Sequence, residues 1–109
     1  DEENGTGVSP SQLLLVALGG CTGYDVVSIL EKKRQRLTGL EITVTGEQEA
    51  DPPWAYRKIH VHYEVRGRGL DEGAVHKAIK LSEQKYCSVA ATLRHAAEIT
   101  YDYTIVEEG

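Results

Sequence analysis

Residues 13–18 are apolar without a break, Leu13-Leu14-Leu15-Val16-Ala17-Leu18, and two glycines follow them. Ahead of the run, Ser9-Pro10-Ser11-Gln12 has the form of a helix start. Ser9 is the N-cap, Pro10 takes the first helical position where its missing N–H costs nothing, and Gln12 completes a capping box. The predicted helix runs to about Arg36. Its first half is apolar on nearly every side, which predicts burial all round. Its far end, Glu31-Lys32-Lys33-Arg34-Gln35-Arg36, reaches solvent with cations suited to a helix C-terminus. Gly19, Gly20 and Gly23 each cost such a helix up to ~1 kcal/mol relative to alanine. The expected compensation is the close approach of another helix.

The period then changes from helical to alternating. Leu40, Ile42 and Val44 alternate with Glu41, Thr43 and Thr45, and Ile59, Val61, Tyr63 and Val65 alternate with His60, His62, Glu64 and Arg66, so two strands are predicted. They form a hairpin around the stiff loop Ala50-Asp51-Pro52-Pro53-Trp54, and Gly67-Arg68-Gly69 ends the second strand. Asp71 caps a second helix in which Val75, Ala78, Ile79, Ser82, Tyr86, Val89, Ala90, Leu93 and Ala97 share one face. Cys87 falls beside that stripe, unless the helix breaks near Ser82–Cys87 and changes phase. The run Ile99-Thr100-Tyr101-Asp102-Tyr103-Thr104-Ile105-Val106 reads as a last strand.

Composition narrows the function classes. At 109 residues, 40% hydrophobic and 27% charged, the chain is expected to be one globular domain spanning residues 1–109. A net charge of −5, with no cationic block longer than Lys32-Lys33-Arg34, argues against nucleic acid as a partner. Leu18-Gly19-Gly20-Cys21 loosely resembles a lipidation box, but the acidic leader Asp1-Glu2-Glu3 lacks the positive flank of a signal peptide. The apolar run is also shorter than the roughly 20 residues of a membrane span, so no membrane association is expected. The chain contains no methionine, even at position 1, and a further segment is expected upstream.

The candidate chemistry rests on Cys21 and Cys87, each inside a predicted helix. Read alone, the pair allows three outcomes: two small buried hydrophobes, a structural disulfide, against which the low cysteine density argues, or a redox pair. Asp25 lies one turn after Cys21 on the same side of the helix, where an unpaired carboxylate would raise the thiol pKa, so it needs a partner. Arg94 reads as part of a solvated face. His60 and His62 share one face of a strand and could ligate a metal with a cysteine or His76, a weak pattern that any half-exposed strand shows. Trp54 and Tyr56 either line an apolar pocket or pack on their own hairpin.

Taken in order, Ser9-Pro10-Ser11-Gln12-Leu13-Leu14-Leu15, Ala17-Leu18-Gly19-Gly20-Cys21-Thr22, the hairpin from Pro53 to Gly67 and Lys85-Tyr86-Cys87-Ser88-Val89 closely resemble the OsmC/Ohr family. Gly19-Gly20-Cys21-Thr22-Gly23-Tyr24-Asp25-Val26 looks closer to the OsmC-like branch. The resemblance implies an α+β fold, with an antiparallel sheet curled around a central buried helix in an intertwined homodimer. It also implies a cytoplasmic thiol peroxidase for organic hydroperoxides, with no bound cofactor or metal. Cys21 would be the attacking thiolate, Cys87 the thiol that captures its sulfenic acid as a disulfide, and an external dithiol the reductant. Thr22 and backbone N–H groups are candidate donors to the Cys21 thiolate. The family's thiolate-binding arginine belongs to strands ahead of the first helix, and Ser11 stands where the Ohr branch has the glutamate that pairs with it. Only the two cysteines therefore transfer residue by residue. The rival reading is a non-enzymatic OsmC-like module that binds a small ligand or senses redox state.

Overall fold

A computed structural model describes residues 9–108; the leader and the expected upstream segment lie outside them. Helix α1 spans Pro10–Lys32, β1 Arg36–Gln48, β2 Tyr56–Arg68, α2 Glu72–Leu81, α3 Ser88–Leu93 and β3 Glu98–Glu107. A π-helical turn over Ser82–Tyr86 joins α2 to α3.

The start of α1 is built as its sequence predicts. Ser9 Oγ accepts from the Gln12 N–H at 3.3 Å, while Gln12 Oε1 accepts from the Ser9 N–H at 3.0 Å. The far end stops short of Arg36. Lys33 is the C-cap and Arg34 adopts a left-handed backbone with φ 59°. The Arg34 N–H donates to the Glu31 carbonyl at 2.9 Å and the Gln35 N–H to the Leu30 carbonyl at 3.0 Å. This is a Schellman closure that ends the helix despite its helical-looking sequence.

Strands β1 and β2 form the expected antiparallel hairpin, with Ile42 opposite Tyr63 and Val44 opposite Val61. Strand β3 lies on the other side of β2 and runs parallel to it, with Tyr63 opposite Tyr103. The α+β class stands, but the sheet is mixed rather than antiparallel throughout, because the chain crosses back through α2 and α3 before β3. Ile59, Val61, Tyr63 and Val65 on the inner face of β2 are buried with Leu18, Val26 and Leu30 of α1 and Val75, Ala78 and Ile79 of α2. Helices cover one face of the sheet, and the other carries its polar side chains.

Among the described residues, burial of α1 is one-sided, which corrects the expectation of a helix buried all round. Leu18, Thr22, Val26 and Leu30 are sealed, whereas Leu13, Leu14, Val16 and Tyr24 are exposed. The glycines serve a strand rather than a helix. A Cβ on Gly19 would come within 3.1 Å of Val44 Cγ2, and one on Gly23 within 2.9 Å of Ile42 Cδ1, so their absence lets α1 lie directly on β1. The short unbroken apolar run also understates the hydropathy of α1. Over 18 residues α1 reaches a mean hydropathy of 1.8, long and apolar enough to cross a membrane by length and composition alone. The core helix of a globular protein passes the same test, and the sealed stripe of α1 packs as one.

The predicted second helix breaks, and the break decides where Cys87 points. A π turn adds a residue to the helical period, so the phase shifts between α2 and α3. Tyr86, which the unbroken stripe would bury, is 52% exposed, and Cys87 is 2% exposed in its place. In the hairpin loop the Pro52–Pro53 bond is cis and Trp54 is exposed. Tyr56 donates from its hydroxyl to the Ser11 carbonyl at 3.1 Å, fastening the hairpin to the first turn of α1.

Candidate active site

Cys21 lies in the middle of α1, at the boundary between its sealed stripe and its exposed face, and is half-buried. Asp25 follows one turn later on the same side. Cys87 arrives from the break after the π turn, with an extended backbone at φ −80° and ψ 109°. The Cys21 and Cys87 sulfurs and a carboxylate oxygen of Asp25 all lie within 4.8 Å of one another. Both thiols are free. The two cysteines that the sequence singled out are thus brought together by two helical elements.

Each member has a defined setting. Cys87 caps α3, its sulfur accepting from the Ala90 N–H at 3.3 Å. Its thiol is pushed up to about 12, first by burial and then by the Cys21 sulfur beside it, with the Ala90 N–H pulling the other way. At neutral pH Cys87 is therefore a protonated thiol. Asp25 finds the partner it needs in Ser82 of the π turn, whose hydroxyl donates to Oδ2 at 2.9 Å. No salt bridge reaches Asp25 among the described residues. Thr22 does not serve as a donor to Cys21: its hydroxyl is turned back to the Leu18 carbonyl at 3.1 Å.

Behind the thiols is a buried polar pair that the sequence did not single out. Tyr63 of β2 donates its hydroxyl to Oε2 of Glu83, a residue of the π turn. Burial raises both groups: the Tyr63 phenol also feels the Glu83 carboxylate, while the Tyr63 hydrogen bond and the charge of Arg94 partly offset the rise at Glu83. Arg94 is exposed, as expected of a solvated face, yet its charge reaches Glu83. Glu83 sits among Gln84 and Lys85 and reads as surface by its charge, yet it follows buried Ile79 by four residues and Val75 by eight, so the helical spacing of the stripe was the signal that could have placed it inside.

Beside Asp25 opens a cleft of about 520 Å³ whose lining includes Ile29, Lys32, Leu81 and Tyr86. A groove of about 620 Å³ along Gly19, Gly20, Gly23 and Tyr24 of α1 includes neither cysteine in its lining.

The histidines take a different course. His60 and His62 lie on the outer face of β2, where His60 Nε2 and His62 Nδ1 both meet Asp102 Oδ1, at 2.9 and 2.8 Å. His60 Nδ1 also meets Thr100 Oγ1 at 2.8 Å. These contacts hold the Asp102 carboxyl below its usual range. Neither a cysteine nor His76 joins them. The cysteines belong to the helical layer behind the inner face, and His76 lies against Tyr103, with ring centroids 6.0 Å apart.

Comparison with known proteins agrees with this architecture. Residues 3–102 match the family described as OsmC-like protein. YhfA of Escherichia coli K12 is 44% identical over 98 residues, covering 90% of this chain and 73% of that protein. A hypothetical protein from Aquifex aeolicus has a crystal structure that superposes with a TM-score of 0.82 at 36% identity, over 94% of this chain and 78% of that one. The organic hydroperoxide resistance protein OhrB of Bacillus subtilis shares the fold with a TM-score of 0.67 at 16% identity, over 94% and 75%. With a match along nearly its whole length, the chain belongs to the OsmC-like family.

Proposed function

We propose that this chain is a thiol-dependent peroxidase that reduces organic hydroperoxides in oxidative-stress defence. The observation that carries the reading is the approach of the two sulfurs to within 4.8 Å, one half-buried and one sealed. In the proposed cycle the Cys21 thiolate attacks one peroxide oxygen, the O–O bond breaks, and the other oxygen leaves as the alcohol after taking a proton. The Cys21 sulfenic acid that results is attacked by Cys87, which loses its proton as water departs and the disulfide forms. An external dithiol then returns both sulfurs to thiols. A protonated Cys87 suits this division of labour, since it is a poor nucleophile at rest. Once Cys21 is a sulfenic acid, its negative charge no longer opposes ionisation of Cys87. Closing the gap to an S–S bond of about 2.05 Å requires only a small approach of two helical elements.

The exposed apolar side of α1 supports a homodimer in which this site lies near the subunit interface. A cytoplasmic location fits the reading, because that compartment keeps thiols reduced.

The test is hydroperoxide consumption by the full-length protein with a dithiol. Cys21→Ser should abolish turnover, and Cys87→Ser should stop it after one equivalent with a trappable sulfenic acid. Undiminished consumption in Cys21→Ser, or no consumption by the unmodified protein with any dithiol, would reject the peroxidase in favour of a ligand-binding or redox-sensing module.

A further inference from the structure

Cys21, Asp25 and Cys87 also answer to a different chemistry. Two thiols and a carboxylate are the donor types that select a borderline-soft divalent ion over magnesium or calcium. Three protein donors with a fourth position left open is the pattern of a zinc site accessible to solvent or substrate. In tetrahedral zinc, bonds of about 2.3 Å to sulfur and about 2.0–2.2 Å to oxygen place neighbouring donors about 3.6–3.8 Å apart. The three atoms are already within 4.8 Å of one another, so an ion would need to draw them in by about an ångström at most.

We propose that Cys21, Asp25 and Cys87 form a binding site for one zinc-like divalent ion, with the half-exposed side of Cys21 leaving the fourth position to water.

Two further contacts give the site its supporting shell. The Ser82 hydroxyl donates to Asp25 Oδ2 at 2.9 Å and fixes the carboxylate plane, and the Ala90 N–H donates to the Cys87 sulfur at 3.3 Å. Such outer hydrogen bonds orient ligands and tune their basicity. Ligand placement is also economical. Cys21 and Asp25 are fixed by one turn of α1, and Cys87 is held at the backbone break, so two elements suffice. The site uses the thiols of the proposed peroxidase but does not require that activity. The two occupancies exclude each other, because a disulfide removes both thiolate ligands.

Cobalt is the probe, because tetrahedral thiolate coordination gives it charge-transfer bands in the near ultraviolet and ligand-field bands in the visible. Reduced full-length protein titrated anaerobically with Co²⁺ should develop both, saturating at one ion per chain, and Zn²⁺ should bleach them. Cys87→Ser should lose at least about half of the charge-transfer intensity, since one of two thiolates is gone, and Asp25→Asn should weaken binding at least about tenfold. His60→Ala with His62→Ala removes the outer-face histidines and should leave the spectrum unchanged. Absence of thiolate bands in the unmodified protein would overturn the proposal without reference to any variant's folding. So would bands that vanish with the histidines or keep their full intensity in Cys87→Ser. A protein that binds Co²⁺ as described but never turns over hydroperoxide would reject the peroxidase and leave this site standing.

Discussion

Glu83 shows how a single residue departs from what its neighbours suggest. Its carboxyl is buried at the π turn and takes the Tyr63 hydroxyl proton in a hydrogen bond. Burial raises its pKa above the ordinary 4.5 despite that bond and the pull of Arg94. An acid with a raised folded pKa gives stability that is fully present below its unfolded pKa and lost as pH rises through the folded one. Stability should therefore fall as pH rises from about 4.5. Glu83→Gln keeps an acceptor for Tyr63 and removes the ionisation, so urea unfolding of this variant should show a flatter pH profile over the same window. Tyr63→Phe leaves the buried carboxyl short of a donor and should cost about 1–3 kcal/mol. Identical pH profiles for Glu83→Gln and the unmodified protein would show that Glu83 is not the group responsible. The site was partly legible at this scale: Cys21 with Asp25 follows from one helical turn, and both cysteines stand out as the only two. The burial of Ser82 was legible from its place on the stripe, but its bond to Asp25 was not, and Glu83 was passed over for its charge although it continues the same spacing.

At the scale of elements, capping chemistry was readable wherever a side chain does the work and hidden wherever the backbone does. Ser9 and Asp71 cap as their sequences predict, with the Asp71 carboxylate accepting from the Ala74 N–H at 3.0 Å. Alternation likewise marked β1 and β2 and the face each turns inward, and they pair as the expected hairpin. The end of α1 at Lys32 was hidden, since nothing in Lys33-Arg34-Gln35-Arg36 marks Arg34 as left-handed. The parallel pairing of β3 was hidden as well, because periodicity gives the face of a strand but not its neighbour or direction. Arg34 is thus a non-glycine residue at a position that glycine fills without steric cost. Arg34→Gly should relieve about 1–2 kcal/mol of left-handed strain against about 0.5–1 kcal/mol of added chain entropy, a net gain read as a higher urea midpoint with an unchanged slope. A lower midpoint would mean that the Arg34 side chain contributes more than its backbone costs. The closure is also tied to the next helix, as Gln35 Oε1 accepts from the Asp71 N–H at 2.8 Å. Any gain at Arg34 should therefore steady the start of α2.

For the whole molecule, the decisive feature is the apolar side of α1 that the described residues leave uncovered. Leu13 is 53% exposed, Val16 58% and Tyr24 76%, with Leu14 beside them, a cluster on one helix rather than the scattered apolar residues normal for a surface. The hydropathy of α1 predicts burial all round, and among the described residues that holds only for the stripe of Leu18, Thr22, Val26 and Leu30. What the sequence could not say is that residues 9–108 supply cover on one side only. A second copy of the chain is the proposed cover, and it would bring the Cys21 edge of α1 towards the interface. Light scattering at micromolar concentration should then give the mass of a dimer. Leu13→Glu combined with Val16→Glu should shift it to the monomer while far-ultraviolet circular dichroism keeps the helical signal, because both positions are exposed in the single chain. The same double substitution should slow peroxide turnover if the site depends on the interface. A folded monomer from the unmodified protein would remove the dimer from the reading. Binding of that monomer to lipid vesicles, lost in the double variant, would assign the apolar side of α1 to a membrane surface instead.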